Sequence, residues 1–180
     1  SGARWRRPGY YQRSDESFQT TVNRESRLVR EGLAIYDGAP LGKFEIKGPD
    51  ALKLIDMLYT NNFDNLKVGM GRYGLMLNDD GIIFDDVVTF KLADNHYFMS
   101  TSTGNADAVN QHMEFVLQTH RTDWQVKITT ITTQWANATL CGPKAREMLH
   151  ALGTDIDLSN EAFPFMAMRE GKVGDFQARV

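Results

Sequence analysis

The chain has 180 residues, enough for one domain or a small domain with flanking segments. Its 42% hydrophobic, 11% aromatic and 24% charged content marks a globular rather than a disordered polypeptide. A formal net charge of −3 gives no basis for nucleic acid or an anionic membrane as partner, and no apolar run reaches the ~20 residues of a membrane span. Cys141 is the only cysteine, which excludes an internal disulfide; with no signal-peptide pattern at the start, the expectation is a soluble, cytoplasmic protein.

Residues 1–13 are rich in Arg, Gly, Pro and Tyr and read as an irregular lead-in, with Arg4-Trp5-Arg6-Arg7 a solvated basic spot. Ser14 or Asp15 caps an expected helix running to about Leu33, ended by Glu31-Gly32. Phe44 and Ile46 alternate with charges, a strand signal. Pro49 suits a first helical position, and Ala51, Leu52, Leu54, Ile55 and Leu58 form a helical stripe. Residues 70–77 and 82–92 are two strand-like runs around Asn78-Asp79-Asp80-Gly81, a strong hairpin signal. A third strand covers 96–102. Thr103 caps a helix to about His120, and residues 124–131 alternate again.

Strand, helix, three strands, helix, strand over residues 43–131 describes an α+β unit with an antiparallel sheet and helices packed on it, of split ferredoxin-like type. Residues 135–141 read as a further strand, followed by Gly142-Pro143-Lys144-Ala145 and a helix to about Leu152. Gly48-Pro49-x-Ala51 and Gly142-Pro143-x-Ala145 therefore recur in one context, by a repeated turn or by coincidence. A last strand-like stretch, 173–180, has no turn or helix to close it, as in a piece of a longer chain. The expected organisation is a lead-in and outer-lobe helix at 1–41, a compact α+β lobe at 42–131, and the first part of an outer lobe at 132–180.

One carboxylate stands out in the second hairpin strand. Side chains alternate along a strand, so Ile82, Phe84, Asp86, Val88, Phe90 and Leu92 share a face on which Asp86 is the only polar group, while Asp85, Thr89 and Lys91 face the other way, expected to be toward water. A carboxylate on a core-like face costs several kcal/mol unless hydrogen-bonded or turned to a cavity, which makes Asp86 a candidate functional acid or a satisfied structural one. The hairpin places Tyr73 either opposite Asp86 or diagonal to it on the same face. A three-residue turn at 93–95 brings Ser102 opposite Asp86; a two-residue turn flips that strand and removes it.

Phosphate-loop, dinucleotide and metal motifs are absent from the sequence. Asn78-Asp79-Asp80-Gly81 fails the EF-hand spacing, and His96, His112, His120 and His150 are scattered without metal-ligand spacing, so no metal site is expected.

Residues Ile35–Ala51, Thr60-Asn61-Asn62-Phe63, Gly71-Arg72-Tyr73-Gly74, Asn78–Asp86 and Leu140–Ala145, in that order, resemble the signature of the glycine-cleavage T-protein, or aminomethyltransferase, superfamily over about residues 24–180. Trp5–Tyr11, Tyr36–Lys43 and Ser100–Asn105 are similar to the sarcosine oxidase alpha-subunit branch of that superfamily. The resemblance implies a folate-binding lobe in which tetrahydrofolate accepts the methylene-iminium from oxidative N-demethylation to give 5,10-methylenetetrahydrofolate. Flavin and NAD are then expected elsewhere in a hetero-oligomeric oxidase with further subunits. By the same resemblance Asp86 is the catalytic carboxylate. Tyr73 lies beside the pterin, Leu41 and Val88 are apolar folate contacts, and Ser102 stands where T-proteins carry a folate-contacting Asn. A Glu in a Thr-Gly-Glu motif and a later Arg complete the family's site and do not occur in these residues, so weak folate binding and no activity are expected of the chain alone. The alternatives are a glycine-cleavage-type aminomethyltransferase and a non-catalytic folate-binding or assembly module.

Overall fold

The computed structural model describes residues 5, 6 and 8–180, so the readings for Ser1–Ala3, Arg4 and Arg7 lie outside the described residues. In chain order the elements are α1 (Phe18–Glu31), β1 (Ala34–Asp37), β2 (Gly42–Lys47), α2 (Ala51–Leu58), β3 (Gly71–Leu77), β4 (Ile83–Ala93), β5 (His96–Thr101), α3 (Ala106–Thr119), β6 (Lys127–Thr130), β7 (Ala138–Cys141), α4 (Ala145–Leu152), β8 (Glu170–Val173) and β9 (Phe176–Arg179). They fall into two compact units. One comprises Pro40–Trp135 with Ser159–Arg169, the other the chain up to Ala39 with Ala136–Leu158 and Glu170–Val180. No helix among the described residues is long and apolar enough to cross a membrane.

The first unit follows the strand–helix–three strands–helix–strand order expected from the sequence. Its strands form one antiparallel sheet ordered β3-β4-β5-β2-β6. Because β2 and β4 both run antiparallel to the β5 between them, they are mutually parallel, joined through α2 and β3. In the same way β5 and β6 are parallel around β2, joined through α3. That is a doubled split β-α-β arrangement with β3 added at the edge. The core lies between this sheet and the two helices: Phe44, Ile46, Val87, Tyr97 and Met99 from the strands meet Ala51, Leu54 and Ile55 of α2 and Val109, Met113 and Val116 of α3. Each of the larger side chains contributes on the order of 1.5–3 kcal/mol by leaving water.

Helix boundaries differ from the sequence reading. Pro49 sits in the turn before α2, not in its first helical position, and α3 begins after Asn105 rather than from a Thr103 cap. In the second unit the cap of α1 is Ser17, whose hydroxyl accepts the Thr20 amide at 3.2 Å, and not Ser14 or Asp15. Residues 13–16 are already a turn, held by the Glu16 amide on the Arg13 carbonyl and by Glu16 pairing with Arg24 at 2.7 Å, so the helix starts beyond it.

In the same unit β1 pairs antiparallel with β7, from Ala34↔Cys141 to Asp37↔Ala138. The single strand expected at 173–180 is instead the second half of a hairpin: β8 and β9 pair around Gly174, whose φ of 57° makes the reversal.

The two Gly-Pro segments are the same turn built twice. Gly48 and Gly142 have φ of 133° and 119°, and their carbonyls accept the amides of Ala51 and Ala145 at 3.0 and 3.1 Å as the following helices start.

Candidate functional site

The β3–β4 hairpin closes on Asn78, whose side chain accepts the amides of Asp80 (3.1 Å) and Ile82 (2.8 Å). A bulge then lets Phe84 stand unpaired between Leu77↔Ile83 and Met76↔Asp85, fixing Leu75↔Asp86 and Tyr73↔Val88. Tyr73 is thus diagonal to Asp86 on one face, the second of the two registers the sequence allowed. At the other end of β4 the turn to β5 has only two residues, Asp94 and Asn95, with Asn95 at φ 60°. A two-residue turn was expected to turn Ser102 away. Instead a second bulge leaves Leu92 unpaired between Lys91↔Tyr97 and Ala93↔His96, and that extra residue restores the register Val88↔Ser100 and Val87↔Thr101. Two compensating one-residue irregularities hold Ser102 at the site, which turn length alone could not indicate.

Leu41, Tyr73, Asp86, Val88 and Ser102 all line one cleft of about 250 Å³, together with Val87, Ser100 and Thr101. The register explains the convergence, since Tyr73, Val88, Ser100 and Lys43 form one continuous cross-strand row from β3 to β2. Ser100 was not singled out from the sequence, although the two-residue spacing to Ser102 carried the signal. Lys43 was read as part of an alternating strand and of the Tyr36–Lys43 segment, not as a buried group. Its side chain is 1% exposed and its Nζ donates to the Leu41 carbonyl at 2.9 Å, bracing the segment that delivers Leu41 to the cleft.

The burial of the two carboxylates is the reverse of the sequence expectation. Asp86 is exposed, and Asp85 is buried at 3% with Val87 and Thr89 beside it on the helix-covered face. Both faces of β4 carry large apolar or β-branched groups, so alternation separates the two aspartates correctly but does not say which side the helices cover. Asp86 therefore meets the cleft and solvent, and Asp85 takes the desolvation. Burial pushes the Asp85 carboxyl above its ordinary range; the hydrogen bond from the Ser102 hydroxyl pulls it back, and the neighbouring Asp86 charge raises it further. Ser102 donates to Oδ1 of Asp85, and Oδ2 has no partner among the described residues. Asn105, just before α3, donates its amide to the Phe84 carbonyl at 2.6 Å, tying the bulge to the helix start.

Chemically, the cleft offers an exposed carboxylate and serine groups as hydrogen-bond acceptors, a half-exposed tyrosine ring and two aliphatic walls. Such a mixture suits a flat, nitrogen-rich heterocycle: the apolar groups cover its faces and the acceptors meet its N–H edges. Among the described residues no three His, Cys, Asp or Glu side chains converge as metal ligands would.

The chain is similar to known proteins in sequence and in fold. The family model of the GCVT N-terminal domain matches residues 1–180. The sarcosine oxidase subunit alpha of Corynebacterium sp. (strain U-96) is 43% identical over 166 residues, which is 92% of this chain and 17% of that protein. The aminomethyltransferase of Staphylococcus haemolyticus (strain JCSC1435) is 33% identical over 147 residues, 81% of this chain and 39% of that one. The solved structure of glycine cleavage system aminomethyltransferase T from Bartonella henselae has the same fold, with a TM-score of 0.73 at 22% identity over 84% of this chain and 39% of its own. The chain thus spans 17% and 39% of the length of the two curated relatives.

Proposed function

The chain belongs to the GCVT N-terminal domain family, and on that premise we propose that its cleft is part of the tetrahydrofolate site of a sarcosine oxidase-type alpha subunit. The observation that carries the reading is the convergence of Leu41, Tyr73, Asp86, Val88 and Ser102, drawn from strands β3 and β4 and from the chain just before β2 and just after β5, on one cleft. The residues suit the ligand. A pterin is flat and rich in N–H donors, and here an exposed carboxylate lines the same cleft as the Tyr73 ring and the Leu41 and Val88 side chains. At about 250 Å³ the cleft lies below the roughly 300–1,000 Å³ of pockets that enclose a whole drug-sized ligand. In this reading it takes the bicyclic head, and other parts of the parent protein hold the rest.

Bound tetrahydrofolate supplies the nitrogen nucleophile that accepts a one-carbon unit released by oxidation of an N-methyl amine. The work of this chain is positional and electrostatic. Tyr73, Leu41 and Val88 cover the ring faces and keep water from them. Asp86 accepts a hydrogen bond from a ligand N–H and holds or returns the proton at the reacting nitrogen. Oxidation of the amine, with flavin and NAD, belongs to other regions of the parent protein and to its partner subunits; the relative's designation as a subunit supports such an assembly.

The test is Asp86→Asn in the complete parent protein. The yield of 5,10-methylenetetrahydrofolate per amine oxidised is expected to fall on the order of 10²-fold, the lower end of what a positioned acid–base group contributes. An unchanged yield contradicts the assignment. The 33% identity to an aminomethyltransferase supports a second reading, transfer from a lipoyl-bound aminomethyl group. Turnover with a lipoylated carrier protein separates the two. Folate binding with turnover indifferent to Asp86→Asn would instead mark a non-catalytic module.

A further inference from the structure

Asp85 is the one aspartate of the adjacent pair that the proposed reaction does not use, yet it is the buried one. A carboxylate that is 3% exposed, with one oxygen unpartnered among the described residues, carries a desolvation cost that a plain β-strand position does not require. What it holds is Ser102, whose hydroxyl donates to Oδ1 and which also lines the cleft. A serine hydroxyl has one proton and two lone pairs. Once the proton is committed to Asp85, all that the Ser102 side chain can offer a ligand is an acceptor. Protonation of Asp85 at its unpartnered Oδ2 leaves Oδ1 able to accept, so this orientation survives in either ionisation state.

We propose that Asp85 is a positioning residue which, from behind the sheet, fixes Ser102 as a hydrogen-bond acceptor and so tunes the cleft to ligands presenting an N–H or O–H donor there. The inference rests on the folate reading of the cleft and deepens it. Asp86 and Ser102 then offer two acceptors to one cleft, an arrangement matched by the N–H edges of a reduced pterin and mismatched by a carbonyl edge.

The experiment measures tetrahydrofolate affinity in the complete parent protein, with thermal unfolding of each variant as a check on folding. Ser102→Ala and Asp85→Ala are each expected to weaken binding about 3- to 10-fold, the worth of one net hydrogen bond. Asp85→Asn, whose amide oxygen still accepts from Ser102, is expected to stay within about twofold of the unmodified protein. The double variant Asp85→Ala/Ser102→Ala binds no more weakly than Ser102→Ala alone, because Asp85 acts through Ser102. The proposal is overturned if Asp85→Asn falls as far as Asp85→Ala, or if Asp85→Ala keeps its full effect in the Ser102→Ala background. If Asp85→Ala does not fold, Ser102→Thr against Ser102→Val decides: threonine retains affinity and valine loses it, and equal affinities overturn the proposal. Absence of tetrahydrofolate binding by the unmodified parent protein is a different result, and removes the folate reading itself.

Discussion

The pleat of β4 sends two neighbouring carboxylates into different solvents. Asp86 meets water and the cleft; Asp85 meets the helix-covered interior. The sign of the pH dependence follows from the raised Asp85 carboxyl, whose largest cause is burial. The folded state holds that proton more tightly than the unfolded chain does. The contribution of the group is therefore fully favourable below the ordinary aspartate value of 3.8 and is lost as pH rises through the higher folded value. Asp85→Asn, which cannot ionise, is expected to gain stability relative to the unmodified protein as pH rises from about 4 toward neutrality. Chemical denaturation of both forms across that range checks it, and a gap that stays flat or closes with rising pH contradicts it. Glu16 behaves oppositely. Its hydrogen bonds from Arg24 lower its carboxyl to about 2, so its contribution is present above its ordinary 4.5 and lost as pH falls from there through about 2. At this scale the sequence showed that one aspartate differed from its neighbour. It could not show which, because Val87 and Thr89 on one face look as interior as Val88 and Phe90 on the other.

At the level of elements, the register of β3, β4 and β5 assembles the cleft, and it depends on the two bulges at Phe84 and Leu92. The strands and helices of the first unit were legible because Phe44/Ile46 and the α2 stripe repeat with clear periods. The bulges were not legible, since each is one residue without a distinct side-chain signature, and the one at Leu92 reversed the consequence of the short 94–95 turn. The Gly-Pro turns show the opposite case, in which a local motif dictates geometry. At Gly48 an added Cβ would lie 2.0 Å from the Gln125 carbonyl oxygen, on a backbone of φ +133°. Gly48→Ala is expected to cost about 2–4 kcal/mol from strain and overpacking together. Gly104, with nothing within 4 Å of an added Cβ, tolerates alanine with a change of about 0.5 kcal/mol or less. Thermal unfolding of the two variants decides, and equal losses would contradict the close-approach account.

On the scale of the whole molecule, every residue lining the cleft belongs to the unit Pro40–Trp135 with Ser159–Arg169, so the site rests on one sheet and its helices. The family was legible because its motifs recur in order along the chain; no single one of them would have sufficed. What periodicity left open was the direction in which the sheet presents its residues, a property of packing. The cleft is small and open, and the chain spans 17% of the length of its sarcosine oxidase relative. Affinity for a folate-sized ligand is accordingly expected to be far greater in the parent protein than in these 180 residues alone. The most direct measurement is calorimetric titration of the complete parent protein with tetrahydrofolate, run beside its Asp86→Asn variant. The account predicts saturable binding weakened about tenfold or more by the substitution, as expected for loss of a charge-assisted hydrogen bond. No binding by the parent protein, or binding indifferent to Asp86→Asn, would contradict it.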